Sequence, residues 1–310
     1  GNAAVSSPLT MPMRSDSILN IRNLSKHYGT LKALNNLNLE VKQGEIYGLL
    51  GPNGSGKTTT LSIVMGILRQ SSGNYYWFNQ PPDYRARLKI GSLIEEPHFY
   101  PYLSLYDNLK IITRIKQIPE SQIHYALGIT GLLKRKYAKF RTLSSGLKQR
   151  LGIAAVIAGD PHVLVLDEPT KSLDPEGFSD LRSVIQQEHE KGKTILLSSH
   201  ILDEVEKVCS HVGILKSGEL VSQGKVEDIL SGKEVLFIST EDPVKTHELL
   251  NQCPMIEKFE PQNHGEFKLL LKNNHKPSEI NQYFYEQGIV LSKLVKQKST
   301  LESEFLQLMK

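Results

Sequence analysis

The chain has 310 residues, 39% hydrophobic and 23% charged, with a formal net charge of +4 at pH 7, enough length for one large domain, or one large and one small, around a sizeable core. Its Lys and Arg are dispersed, which gives weak grounds for a nucleic-acid partner and mild ones for an anionic ligand or membrane surface. Cys209 and Cys253 lie far apart, which excludes a disulfide framework and a cysteine metal site and fits a reducing compartment, and no run of about 18 apolar residues is present to span a bilayer.

Residues Gly1 to Ser17 are rich in Ser, Pro and small side chains and lack the apolar stretch of a signal peptide, so they read as a disordered tail or cloning remnant. The alternation of apolar and polar residues over Ile18 to Val41 predicts two or three strands of an antiparallel sheet. Glu45 to Leu50 is a short apolar strand running into a glycine-rich loop, with a helix expected from about Lys57 to Leu68 and a turn and strand between Ser71 and Gln80. From Ser104 to Ala138 apolar residues recur at helical spacing (Tyr106, Leu109, Ile112, Ile115), which predicts a helical subdomain. Helices are expected over Leu147 to Ala158, Glu176 to Lys191 and Ile201 to Val208, with buried strands over His162 to Leu166 and Thr194 to Ser198. Val212 to Leu215 and Glu219 to Gln223 read as a hairpin.

Composition shifts near Ile229 to Lys233. Beyond it come the strand-like EVLFIS, a helix over Pro243 to Asn251, and alternating segments around Lys258 and Phe267 to Leu271. A helix over Pro277 to Gln287, a strand over Ile289 to Val295 and a last helix over Thr300 to Met309 complete a small α+β domain. The expected division is a tail of residues 1–17, a main domain of 18–230 and a small domain of 231–310.

Gly51-Pro52-Asn53-Gly54-Ser55-Gly56-Lys57-Thr58 fits the spacing G-x-x-x-x-G-K-[ST] between an apolar strand and a helix. Glycines at these points let backbone N–H groups turn inward around phosphate oxygens, and the following helix adds its positive N-terminal end. Lys57 can reach the β- and γ-phosphates of a nucleotide, and the Thr58 hydroxyl can ligate Mg²⁺. Asp167-Glu168 ends the apolar run HVLVL. Asp167 is placed to hold Mg²⁺, directly or through water, and Glu168 to polarise an attacking water and take its proton. Neighbours on a strand point to opposite sides, so the two carboxylates share a site only if the chain bends there, which Pro169 favours.

Together with Leu143-Ser144-Ser145-Gly146-Leu147, these motifs resemble the nucleotide-binding domain of ABC transporters, in family order over roughly Ile18 to Ile229. The resemblance implies an α/β fold: a P-loop NTPase core with an antiparallel β-subdomain and a helical subdomain, followed here by the small C-terminal α+β domain. It implies that Tyr28 stacks on adenine, although a core tyrosine is an equal reading. The phosphate loop, extended to Thr59, binds ATP with Mg²⁺. Ser144, Ser145 and Gly146 resemble the signature loop that binds the γ-phosphate held by a second subunit; Ser144 also reads as an ordinary N-cap. Asp174, in Ser172-Leu173-Asp174-Pro175, resembles the loop that crosses the dimer interface, and His200 the switch histidine at the γ-phosphate.

Three departures from the family pattern stand out. Ser145 and Leu147 replace the usual glycine and glutamine of the signature. Lys171 and Ser172 replace a commoner small or polar pair. Glu95 stands where a Mg²⁺-ligating glutamine is usual, with Glu96 a second candidate; a carboxylate also binds Mg²⁺. The Glu95 variant resembles the subgroup that exports antibiotics and lantibiotics, and the C-terminal tail resembles that of drug- and polysaccharide-type exporter ATPases. The implied function is ATP hydrolysis coupled to export, at the inner face of the cell membrane. The implied partners are an integral membrane permease subunit and a second ATPase subunit, identical or paralogous, with no direct nucleic-acid contact. A soluble ABC ATPase acting on ribosomes or DNA, or an importer ATPase, are the competing readings.

Overall fold

The computed structural model describes residues 16–231, 234–272, 275–298 and Phe305. The chain divides into two compact units, with the boundary between Gly224 and Lys225 rather than after residue 230.

The first unit opens with β1 (Ser17–Tyr28) and β2 (Leu31–Lys42), an antiparallel pair. Ser17, assigned to the tail by composition, is buried in β1; residues 1–15 of that expected tail lie outside the described residues. Next come β3 (Ile46–Leu50), α1 (Lys57–Val64) and β4 (Ser72–Trp77), the last adding to β1 in a three-stranded sheet of order β2-β1-β4. A short helix, α2 (Tyr84–Leu88), and strand β5 (Ile90–Leu93) follow; the sequence reading gave no element for either. The helical subdomain consists of α3 (Leu105–Lys116), α4 (Ser121–Ile129) and α5 (Ser145–Ala158). Then come β6 (Val163–Leu166), α6 (Pro175–Glu190), β7 (Thr194–Ser199), α7 (Leu202–Val208), β8 (His211–Lys216) and β9 (Glu219–Lys225).

Six of these strands form the central sheet, in the order β5-β6-β7-β3-β8-β9, with β5 through β8 paired in parallel. Every residue of β3, β6 and β7 is buried, as expected where both faces of a parallel sheet are covered. β3 lies between β7 and β8, and the glycine-rich loop leaves its C-terminal end, where open α/β sheets bind ligands. The hairpin turn Ser217-Gly218 has φ 49° and 82°, positive at both residues as a two-residue turn requires.

Two helices differ from expectation for local reasons. α1 stops at Val64, not Leu68. Gly66 adopts φ 72°, and the N–H groups of Gly66 and Ile67 turn back onto the carbonyls of Ile63 and Ser62, each at 2.9 Å, a glycine-closed helix end. The indole of Trp77 then donates to the Val64 carbonyl at 2.7 Å. α5 starts at Ser145, two residues before Leu147, because Ser144 caps it by accepting the Leu147 N–H. In α3 the buried face is Leu105, Asn108, Leu109 and Thr113, leaving Ile115 71% exposed.

A buried ionic cluster ties the helical subdomain to the core. Glu188 of α6 is fully buried; Lys193 lies 2.6 Å away, and Tyr125 of α4 donates its hydroxyl to it at 2.6 Å. Burial pushes the Glu188 pKa up, but hydrogen bonds from Lys193 and Tyr125, with the charge of Lys193, outweigh this and hold it below the ordinary carboxylate value.

The second unit contains α8 (Val226–Ser231), β10 (Glu234–Thr240), α9 (Pro243–Gln252), β11 (Ile256–Pro261), β12 (Glu266–Leu271), α10 (Pro277–Glu286) and β13 (Leu291–Lys298). From β10 on, the order is βαββαβ, with an antiparallel sheet β11-β12-β10-β13. Leu236, Ile238, Phe267 and Leu269 form its core with Leu250 of α9 and Ile280 and Phe284 of α10. The helix expected over Thr300 to Met309 lies outside the described residues apart from Phe305.

The Glu188 cluster gives a test. Glu188→Gln is expected to cost about 2 kcal/mol at neutral pH, because Lys193 loses its closest counter-charge and keeps the half-exposed Asp160, 3.1 Å away. A depressed carboxylate pKa stabilises fully above the unfolded value and loses that contribution as pH falls through the folded value. Urea-unfolding free energies of wild type and variant should therefore converge as pH drops below the ordinary carboxylate range. A gap that stays constant on acidification would refute an ionic role.

Candidate functional site

The loop after β3 packs so closely that side chains are excluded at its hinge points. A Cβ on Gly51 would lie 2.3 Å from the Ser55 hydroxyl and 2.6 Å from the Leu215 carbonyl oxygen. Gly56, at φ 107°, would place one 2.7 Å from a Leu34 methyl and 2.9 Å from the Ala33 carbonyl oxygen. The turn of the β8–β9 hairpin buttresses the loop. The Gly218 N–H donates to the Ser55 carbonyl, and the Gly218 carbonyl accepts from Asn35 N–H, both at 2.9 Å. Lys57, buried at the start of α1, donates to the carbonyls of Gly51 at 2.8 Å and Pro52 at 3.2 Å, and its ammonium lies 3.4 Å from Glu168 Oε1.

The acidic pair sits beside this loop because β6 runs parallel to β7, with Leu166 opposite Leu197. Asp167 is 4% exposed and is held on both carboxylate oxygens: Thr58 donates to Oδ2 at 2.9 Å and Ser198 to Oδ1 at 2.6 Å. The Glu168 N–H donates to the same Ser198 hydroxyl at 2.9 Å. The bend expected between the carboxylates lies at Glu168 itself, whose φ of 46° is left-handed and rare for a residue with a Cβ. Its side chain then reaches His200, with Nδ1 2.8 Å from Oε2.

Lys57, Thr58, Thr59, Glu168, Lys171 and His200 open onto one cleft of about 380 Å³, with Asn53, Gly54, Gly56 and Ala33 completing the wall. Thr58 and Asp167 offer adjacent hard oxygen donors, the set that suits Mg²⁺, an ion that takes one or two protein oxygens and fills its shell with phosphate and water.

Other residues singled out in the sequence are not part of the wall of this cleft. Tyr28 ends β1, 49% exposed, with the Lys26 ammonium 4.9 Å from its ring centre, so it is not a core tyrosine. Ser144 and Ser145 are exposed at the start of α5; Gly146 is half-buried, and a Cβ there would lie 3.1 Å from the Ser172 carbonyl oxygen. Asp174 caps α6 through the Gly177 N–H at 2.8 Å. Glu95 follows β5 at the neighbouring strand end, where the Leu93 carbonyl accepts from Asp167 N–H; its backbone is left-handed at φ 60°, and its side chain is exposed and outside the cleft wall.

Sequence reasoning passed over Ser198 and Gln149, and it did not bring Lys171, noted as a departure, together with Glu96, noted as a second metal candidate. Ser198 is the hinge of the acidic pair, signalled only by a hydroxyl in an otherwise apolar run. Gln149, buried in α5, donates to the Pro169 carbonyl at 3.2 Å and so links the signature helix to the acidic loop. Lys171 enters the cleft, and Glu96 pairs with it at 3.7 Å. No local pattern marks these contacts, since they depend on which strands and loops become neighbours.

The sequence profile of the ABC transporter family matches residues 34–171. The lantibiotic transport ATP-binding protein of Streptococcus pyogenes is 41% identical over 220 residues, which is 71% of this chain and 96% of that protein. The bacitracin transport ATP-binding protein of Enterococcus faecalis is 33% identical over 304 residues, 96% of this chain and 97% of its own length, a span that includes the second unit. Among solved structures, a Clostridium perfringens cassette that is part of the ABC transporter complex cbiONQ aligns with a TM-score of 0.62 at 33% identity, covering 69% of this chain and 90% of that one. A dimeric ATP-binding cassette in a post-hydrolysis state with ADP and phosphate aligns with a TM-score of 0.62 at 26% identity, over 67% of this chain and 99% of that one.

The double use of Ser198 predicts that Ser198→Ala lowers the unfolding free energy by about 2 kcal/mol, since it strips a partner from a buried carboxylate oxygen and from a backbone N–H. A loss of only a few tenths in equilibrium denaturation would show that water replaces the hydroxyl.

Proposed function

The chain belongs to the ATP-binding subunits of ABC transporters and hydrolyses ATP, and from that premise we propose that it is the motor of an exporter, acting as a dimer on a separate membrane permease at the cytoplasmic face. The observation that carries the chemical reading is one cleft in which Lys57, the Thr58–Asp167 oxygen pair and the Glu168–His200 contact converge.

In this reading the N–H groups of residues 53–58 and the Lys57 ammonium bind the β- and γ-phosphates. Thr58 and Asp167 would hold Mg²⁺, and Glu95, exposed at the neighbouring strand end, would join them by turning toward the cleft in place of the usual glutamine; the ion would supply charge neutralisation at the phosphate oxygens. Glu168 orients a water toward the γ-phosphorus and accepts its proton as the oxygen–phosphorus bond forms and ADP leaves. His200 holds the Glu168 carboxylate through Nδ1, which leaves Nε2 to face the γ-phosphate. Tyr28, exposed at a strand end, offers its ring to adenine.

The wall of the cleft does not include Ser144, Ser145 or Gly146, whose place is the exposed N-terminus of α5. That separation supports a second subunit, identical or paralogous, lending its signature loop to the γ-phosphate, with Asp174 and its loop at the interface. Nucleotide then closes the dimer, because it makes contacts that exist only in the closed state. The names of the two relatives support a peptide or drug-like export substrate. No helix among the described residues is long and apolar enough to cross a membrane, so the path through it is assigned to the permease.

Glu168→Gln is expected to reduce ATP turnover at least about a hundredfold while nucleotide binding survives. The same variant should elute as a nucleotide-dependent dimer in size-exclusion chromatography. Full turnover would remove Glu168 as the base. Chelating Mg²⁺ should abolish turnover of the wild type and leave its circular dichroism unchanged; activity that persists in chelator would exclude the metal.

A further inference from the structure

Lys171 has no role in the mechanism above, yet its side chain borders the cleft together with Lys57, Thr58 and Glu168. Its backbone is tightly fixed. The Lys171 N–H donates to the Glu168 carbonyl at 3.0 Å, closing a turn that begins at the left-handed Glu168, φ 46°, and the next residue, Ser172, is left-handed at φ 69°. The side chain, in contrast, is loosely committed. Its ammonium pairs with Glu96 at 3.7 Å, and the two side chains are 63% and 74% exposed. An ion pair so open to water is worth little, so it yields readily to a stronger anion. The four-carbon stem lets the charge swing while the Cα stays put.

The cleft has a use for that charge. The ammonium of Lys57 already lies within 3.4 Å of Glu168 Oε1, so the carboxylate shares the charge that a phosphate would claim. Glu95 adds a negative charge beside the strand ends where the family pattern has a neutral glutamine, and Lys171 adds a positive one where the pattern has a small or polar residue. Lys171 meets this acidic loop at Glu96, the neighbour of Glu95 in sequence.

We propose that Lys171 is a second phosphate-directed cation, held by Glu96 and transferred to the γ-phosphate when a nucleoside triphosphate binds, so that it discriminates triphosphate from diphosphate. The inference rests on the nucleotide reading of the cleft and deepens it.

The test is calorimetric titration of the full chain, in Mg²⁺ buffer, with ADP and with a non-hydrolysable ATP analogue. Lys171→Met is expected to weaken analogue binding about tenfold, the size of one charge-assisted contact, and to leave ADP binding unchanged. Lys171→Arg should retain the preference. Glu96→Gln should tighten analogue binding about threefold by removing the competing anion, and should do nothing in a Lys171→Met background. Equal loss of ADP and analogue binding in Lys171→Met, or no loss of either, would overturn the proposal, as would a Glu96→Gln effect that persists without Lys171. Lys171 is exposed, so these variants are expected to fold; for any that does not, the Glu96→Gln titration carries the test alone. A wild-type chain that binds neither nucleotide would instead overturn the reading of the cleft on which the inference stands.

Discussion

The carboxylate of Asp167 is gripped from two sides, by the hydroxyl of Thr58 at the head of α1 and by that of Ser198 at the end of β7. Three pieces of chain meet at that one group, and their meeting is set by parallel pairing. Leu50 of β3 lies opposite Ser199, the last residue of β7, and Leu166 of β6 opposite Leu197, two residues earlier, so the strands end near one another and present their loops to the same side. A carboxyl group at 4% exposure is tolerable only when its oxygens find partners, and the two hydroxyls supply one to each. The rest of the site is arranged around this grip. Because the Ser198 hydroxyl also takes the Glu168 N–H, the second carboxylate is turned away from the first and toward Lys57 and His200.

The parts of this arrangement that were legible in the sequence are those whose chemistry is confined to adjacent residues. The phosphate loop needs its glycines and Lys57 at fixed spacing, and the acidic pair needs an apolar strand before it, so both can be read locally. Ser198 could not be identified in that way. It matters only because β6 and β7 pair in one register, and one residue of slip would turn its side chain to the other face. The Lys171–Glu96 pair likewise joins two loops that become neighbours only when β5 pairs with β6.

Local reasoning failed elsewhere for identifiable physical causes. The apolar spacing of α3 fits more than one helical face, and burial of Asn108 instead of Ile115 selects between them: the Asn108 amide clamps the Tyr100 backbone, accepting its N–H at 2.9 Å and donating to its carbonyl at 3.2 Å. α1 is ended by Gly66 and sealed by the indole of Trp77, which no helix propensity near Leu68 reveals. In the second unit the alternation of strands and helices indicates the class, but the placing of β10 between β12 and β13 is a property of the assembled sheet.

Hairpin turns at a surface are ordinarily the places where a chain absorbs extra residues most easily. The turn at Ser217-Gly218 has lost that freedom. Its glycine carries one bond to the phosphate loop and one to the β2 strand, and a Cβ on it would lie 2.7 Å from the Ala33 carbonyl oxygen. The length of this turn therefore sets the height of the phosphate loop above the sheet, as a spacer does. For anyone grafting an epitope or splitting the chain to make a permuted protein, a tip that looks like free surface is part of the nucleotide cleft's foundation.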